Sequence, residues 1–241
     1  VKGVIRTINP QAQIIDITHL IPQYDINSAM FVIYSTYKYF PEGTVHVVIV
    51  DPGVGSNRKI ICVDTAKFTF LAPDNGVLSW VLQEEKDYSV FHITDPELSL
   101  PNISSSFHGR DIFAPVAARL SLGESPLNLG VKFDSPKLFK FPEVNLIDQV
   151  YFEATIIYID LFGNAITNLE NKYFDQVSEI FRSSGELLDI IPADHYSEVS
   201  IGQALFFKGS AGFIEIGVNM DSAEEKFSFM CRELILFKRK G

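Results

Sequence analysis

Along the first part of the chain, apolar residues fall alternately into short unbroken runs and into helical spacing. Gln13-Ile14-Ile15-Asp16-Ile17 reads as a short strand. Ala29, Val32, Ile33 and Tyr37 predict a helix over 27–40, with Pro41 just beyond its end. Residues 45–50 are almost all β-branched, the pattern of a strand buried on both faces. Residues 60–63 and 68–71 predict two more strands. The turn Pro73-Asp74-Asn75-Gly76 leads into a short helix over 76–84. A further helix over 111–122 carries Ile112, Val116, Arg119 and Leu120 and ends at Gly123. Alternation of this kind predicts a layered α/β domain over 1–136 with a mostly parallel or mixed sheet.

The texture changes near Asp134. Asp134-Ser135-Pro136-Lys137 and Phe141-Pro142-Glu143 mark a linker, placed at 137–149, and β-rich segments follow. Strands are expected over 150–159, 203–208 and 212–218, with 172–184 the only helix-like stretch. Residues 150–241 therefore read as a smaller, mostly antiparallel domain.

Composition narrows the functional classes. The chain is 46% hydrophobic and 21% charged, as in ordinary globular domains, and its 20 phenylalanines predict an aromatic-rich core. A net charge of −10 argues against nucleic acid, whose phosphates require clustered Lys and Arg. Lys238-Arg239-Lys240 reads as a solvated end. Cys62 and Cys231 provide neither a disulfide framework nor metal-ligand spacing, so a reducing, cytoplasmic compartment is expected. The triplet Asn102-Ile103-Ser104 matches a glycosylation sequon of a kind that arises by chance. No apolar run reaches transmembrane length, and no signal-peptide pattern opens the chain. Val1 is not a natural start residue, so an upstream segment is expected.

Three glycine-bearing loops concentrate the candidate chemistry. Asp51-Pro52-Gly53-Val54-Gly55-Ser56-Asn57-Arg58 follows a strand, where ligands gather in α/β sheets. Arg58 stands where a dinucleotide fingerprint needs its third glycine and no helix pattern follows, which excludes the NAD reading. Asp51 alone could equally be a turn cap. Ser106-Phe107-His108-Gly109-Arg110-Asp111 adds a base and another cation, although Asp111 by itself reads as a helix N-cap. None of the five histidines has a partner at metal-ligand spacing, and there is no Gly-x-Ser-x-Gly elbow. Asp160-Leu161-Phe162-Gly163-Asn164 reads first as a hairpin turn. Ser210-Ala211-Gly212 and Asn219-Met220 also pass as turns.

Taken in order, the segments resemble the S-adenosylmethionine hydroxide adenosyltransferase family, relatives of the fluorinase and chlorinase. The resembling stretches are Ile14-Ile15-Asp16-Ile17-Thr18-His19, Phe40-Pro41-Glu42-Gly43-Thr44-Val45, 50–55, Ala72-Pro73-Asp74-Asn75-Gly76, 107–115, 160–168 and 212–219. The resemblance implies an N-terminal α/β domain, a C-terminal β-barrel-like domain and a homotrimer with its ligand between neighbouring subunits. It also implies a reaction without metal or cofactor, in which water or hydroxide attacks C5′ of S-adenosylmethionine to give adenosine and L-methionine. The residues that hold the nucleophile fall on Asp51, Arg58 and His108, with Phe107 and Gly109 beside them. Asp160 and Asn164 match groups at the methionine end, with Phe162 alongside and Ser210 at the same end. Tyr24 and Tyr196 fall where aromatic rings sandwich the purine and sugar, and Asn219-Met220 where backbone meets the adenine edge.

The resemblance further implies a strand and an Asp-Phe-Gly-like loop ahead of Val1, whose aspartate holds the ribose hydroxyls. Ala211 stands where the fluorinase has arginine. Gly109 stands where the fluorinase has serine, although the chlorinase has glycine there too. A halogenase is the runner-up, disfavoured because a carboxylate at Asp51 would repel halide. A non-catalytic binder of adenosine or S-adenosylmethionine is the alternative from another class.

Overall fold

Strands of the first unit send alternate residues into opposite layers, and this period of two builds the domain. The computed structural model describes residues 1–240, and the chain forms two units, Val1–Phe141 and Pro142–Gly241. In the first, β1 (Val45–Val47), β2 (Ile60–Thr65), β3 (Thr69–Pro73), β4 (Tyr88–Ile93) and β5 (Gly130–Lys132) form a sheet in the order β1-β3-β2-β4-β5. Only β1 and β3 run parallel, so the sheet is mixed. Ile60, Cys62, Leu71, Phe91 and Ile93 pack towards α1 (Lys2–Ile8) and α4 (Ala114–Ser121). Ile61, Val63, Phe70, Ala72 and Val90 pack towards α2 (Ile26–Thr36) and α3 (Ser79–Glu84). A short helix, α5 (Pro126–Leu129), precedes β5.

The second unit is almost all β. β6 (Asn145–Ile147), β7 (Tyr151–Ile159), β8 (Ala165–Glu170), β9 (Val177–Arg182), β10 (Leu187–Leu188), β11 (Ile190–Pro192), β12 (Ala204–Lys208), β13 (Phe213–Val218) and β14 (Leu234–Arg239) surround one core, with α6 (Ala223–Phe227) outside the sheet path. The order β10-β9-β14-β7-β8-β13-β12-β11, with β6 added on β7, curls into a nearly closed barrel. All pairings are antiparallel except β11 with β12. Phe152, Ile156, Phe174, Phe206, Phe229 and Phe237 fill it, which is the aromatic core predicted from composition.

Four expectations need correction. Residues 13–17 lie in no sheet, because no strand among the described residues runs beside them to complete a ladder. The run at 45–50 is regular only over Val45–Val47. Among the described residues it has one neighbouring strand, and Ile49 is 38% exposed. The segment 172–184 is a 3-10 turn, Asn171–Gln176, followed by β9 rather than a helix. Val177 and Ile180 have helical spacing, but pairing with β14 on one side and β10 on the other decides the backbone. Finally, Asp111 is no N-cap. It lies inside a π-helical turn, Gly109–Phe113, that runs directly into α4. Helix α1 was not anticipated, although Val4, Ile5 and Ile8 share one face and join the core beside α4.

Candidate active site

At the end of β1 the chain leaves the sheet and turns at Asp51. Asn75 Nδ2 donates to the Val50 carbonyl at 2.8 Å, which pins this exit. The turn then brings Arg58 back onto the carboxylate: Nε donates to Oδ1 at 2.8 Å and to Oδ2 at 2.9 Å, and Nη2 donates to Oδ2 as well. Both side chains are almost fully buried, at 6% and 10% exposure. A buried pair of this kind persists only when its remaining groups are satisfied. Arg58 meets that condition by contacting His108 Nδ1 with Nη2 at 3.1 Å and by stacking its guanidinium 5.6 Å from the Phe113 ring centre. The structure thus joins Asp51, Arg58 and His108, fifty residues apart in the chain at the widest step.

Two close approaches fix the loops. Gly55 has φ +78°, and a Cβ there would lie 2.4 Å from the Ser105 carbonyl oxygen, so only glycine lets the two loops touch. On the other side Asp111, fully buried, accepts from the Ser104 amide at 2.8 Å and from Arg110 Nε at 2.6 Å. The Arg110 hydrogen bond and the Ser104 amide hold the Asp111 carboxyl below its ordinary range. This anchor has no sequence signature, because its partner Ser104 lies in an irregular loop seven residues away. π-Helical turns recur at functional sites, and His108 is the residue immediately before this one.

Asp51, His108, Phe107 and Gly109 all line an apolar cavity of about 590 Å³. Its walls include Val45, Val47 and Val48, Ile14 and Ile17, and Val32 and Ile33 from α2. Tyr24 is not in this wall. It sits at the turn before α2 with φ 68° and is 73% exposed.

The second unit carries its own polar cluster. Asp160 ends β7, and its Oδ1 accepts from the Phe162 and Asn164 amides, both at 2.9 Å. Oδ2 accepts from Asn164 Nδ2 at 2.9 Å, and the Tyr196 hydroxyl donates to Asn164 Oδ1 at the same distance. The hairpin turn expected for this segment is therefore present and also organises a buried amide and a half-buried phenol. Gly217 makes room for them, since a Cβ there would lie 2.7 Å from both Asn164 Oδ1 and the Tyr196 hydroxyl. Burial and the charges of Asp160 and Glu215 push the Tyr196 phenol up to about 12. Glu215, on β13, was not singled out from the sequence. Burial and the Asp160 charge push its carboxyl up to about 7. Its only sequence signal is a carboxylate in the otherwise apolar strand Phe213–Val218.

Phe162 and Met220 are 80% and 83% exposed, and Ser210 is exposed. Asn219 donates its side-chain amide to the Val199 carbonyl, and its backbone groups pair with Gln203 and Gly202. Among the described residues no group of His, Cys, Asp and Glu could hold a metal ion, and no helix is long and apolar enough to cross a membrane.

Comparison with known proteins matches the same two units. The model of the SAM hydroxide adenosyltransferase N-terminal domain matches residues 1–130, and that of the C-terminal domain residues 154–235. A protein of Thermus thermophilus named (R)-S-adenosyl-L-methionine hydrolase is 32% identical over 232 residues, covering 93% of this chain and 88% of the relative. A crystal structure of an uncharacterized conserved protein from Thermotoga maritima superposes with a TM-score of 0.91 at 35% identity, covering 98% and 92% of the two chains. A fluorinase of Nocardia brasiliensis is more distant, 22% identical over 194 residues, with 70% and 65% covered.

Proposed function

Because the chain belongs to the SAM hydroxide adenosyltransferase family, we propose that it hydrolyses S-adenosyl-L-methionine to adenosine and L-methionine. The observation that carries this reading is the hydrogen-bonded Asp51–Arg58–His108 chain, whose two ends, Asp51 and His108, line the cavity. The sulfonium is already an activated leaving group, so the protein mainly has to align water opposite the C5′–S bond and exclude competing solvent. Arg58 stabilises hydroxide-like charge on the attacking oxygen, and Asp51 and His108 orient it. The carboxylate of Asp51 opposes a halide at the same position, which favours hydrolysis over halogenation, as does the closer likeness to hydrolases than to fluorinases.

In the second unit Asp160 supplies a carboxylate for the ammonium of the methionine end, and Asn164 an amide for either of its charged groups. Phe162 packs beside the thioether chain, and Ser210 serves the same end. Tyr24 and Tyr196 stack on the purine and sugar, and the Asn219-Met220 backbone meets the adenine edge. S-Adenosylmethionine is consumed as substrate, so no cofactor or metal is required. The working form is a homotrimer in the cytoplasm. Two cysteines, too few for a disulfide framework, favour the reducing compartment, and exposed apolar side chains such as Phe162 and Met220 favour assembly. Light scattering at micromolar concentration tests the trimer.

The deciding experiment incubates the protein with S-adenosylmethionine, with and without chloride, and separates the products by chromatography. Adenosine and methionine in equal amounts, independent of chloride, support the reading. A chloride-dependent halogenated nucleoside, or binding without turnover, refutes it.

A further inference from the structure

A guanidinium offers five N–H donors and no lone pair. Arg58 Nη2 lies 3.1 Å from His108 Nδ1, so this contact is a hydrogen bond only when Nδ1 carries the lone pair. Neutral His108 must then hold its proton on Nε2. A doubly protonated ring would turn an Nδ1–H towards the N–H of Arg58, which the buried guanidinium opposes. Nε2 makes no hydrogen bond among the described residues, and His108 lines the cavity. The ring therefore has a donor to offer there, and its one lone pair is already occupied.

Other charges near the ring do not reverse this. The Asp111 carboxylate would favour a charged imidazole, but the Arg110 guanidinium paired with it offsets its charge, and it makes no hydrogen bond to His108 among the described residues. Asp51 shares Arg58 with His108 yet keeps free acceptor capacity, because a carboxylate has about four lone-pair sites and Arg58 supplies three hydrogen bonds to it, the only ones on its side chain among the described residues. We infer that His108 is locked as the Nε2–H tautomer and donates to the attacking oxygen, and that Asp51 is the group that takes the proton from water.

The inference rests on the hydrolase reading and completes its proton balance. As the oxygen–C5′ bond forms, the C5′–S bond breaks and its electron pair returns to sulfur, leaving the thioether of methionine. One proton of the water passes to the Asp51 carboxylate and leaves to solvent after the products. His108 keeps its own proton throughout, steering the oxygen lone pair that attacks. It is a catalytic residue through its donor and not as a base.

Two measurements test this. The full chain labelled with ¹⁵N in its histidine rings is recorded by long-range ¹H–¹⁵N correlation at neutral to mildly basic pH without substrate. The His108 signals are identified by their loss in His108→Gln. A proton on Nε2 is expected; a proton on Nδ1, or on both nitrogens, overturns the tautomer. In kinetics, His108→Gln places an amide donor near the position of Nε2 and should keep kcat within about tenfold, whereas His108→Ala and Asp51→Asn should each lose on the order of 10²–10⁴. His108→Gln as inactive as His108→Ala, with Asp51→Asn close to wild type, would make His108 the base and overturn the proton route. If the wild-type chain does not turn over S-adenosylmethionine, the hydrolase reading and the Asp51 role fall together, and the ring spectrum still decides the tautomer.

Discussion

His46 gives a stability prediction whose size follows from its surroundings. It sits on β1, is 3% exposed, and lies among Tyr37, Phe40, Phe68 and Phe70, stacked on Phe70 at 5.0 Å. Its Nε2 has no hydrogen-bond partner. Burial among aromatic rings penalises the charged form and lowers its pKa from 6.5 to about 4. The folded protein therefore binds this proton less readily than the unfolded chain. The stabilising effect of the neutral ring is fully present above pH 6.5, declines as pH falls from 6.5 towards 4, and is lost below that. At 1.36 kcal/mol per pH unit, the gap of roughly two and a half units corresponds to about 3 kcal/mol. His46→Phe keeps a flat ring and removes both the titration and the unsatisfied nitrogen. Urea unfolding of both proteins at a series of pH values between 7.5 and 4 should show wild type losing about 3 kcal/mol more than the variant. Parallel stability curves would refute the reasoning, since they would mean that the imidazole is hydrated or charged in the native state.

Three other expectations probe the candidate sites. Gly55→Ala adds a Cβ against the Ser105 carbonyl at φ +78° and should reduce kcat on the order of 10² by displacing the Asp51 loop; Gly123→Ala, strained at φ +88° but with nothing within 4 Å, should cost about 1–2 kcal/mol of stability and leave turnover intact. Equal turnover in the two variants would disprove the loop contact. Asp160→Ala should weaken S-adenosylmethionine binding by roughly 1.5–3 kcal/mol, the range for a hydrogen bond to a charged group, with adenosine affinity unchanged in calorimetric titration. Equal losses for both ligands would make Asp160 a structural turn residue only. Glu215 is raised from 4.5 to about 7, so the folded state favours its protonated form and stability declines as pH rises from 4.5 through 7. Glu215→Gln should remove that decline in thermal scans between pH 5 and 8, and an unchanged slope would count against its burial beside Asp160.

Elements whose residues carry their own pattern could be recognised in the chain. The helix spacing of Ala29, Val32 and Ile33 and the strand runs of Ile60–Thr65, Tyr151–Ile159 and Phe213–Val218 reflect local burial on one face or two, and folding preserves them. The mixed α/β class, the antiparallel second unit and the candidate loops were legible for the same reason. Tertiary structure decided what depends on neighbours. It left residues 13–17 outside any sheet, limited the strand at 45–50 to Val45–Val47, and turned helix-spaced Val177 and Ile180 into a strand, because backbone pairing is a property of two segments and not of one. The site divides in the same way. Asp51, Arg58 and His108 could be named from their loops, but only the fold sets a guanidinium between a carboxylate and one nitrogen of an imidazole. Asp111 reads as a helix cap and Glu215 as one carboxylate in an apolar strand, because the burial that sets their roles comes from other segments of the chain.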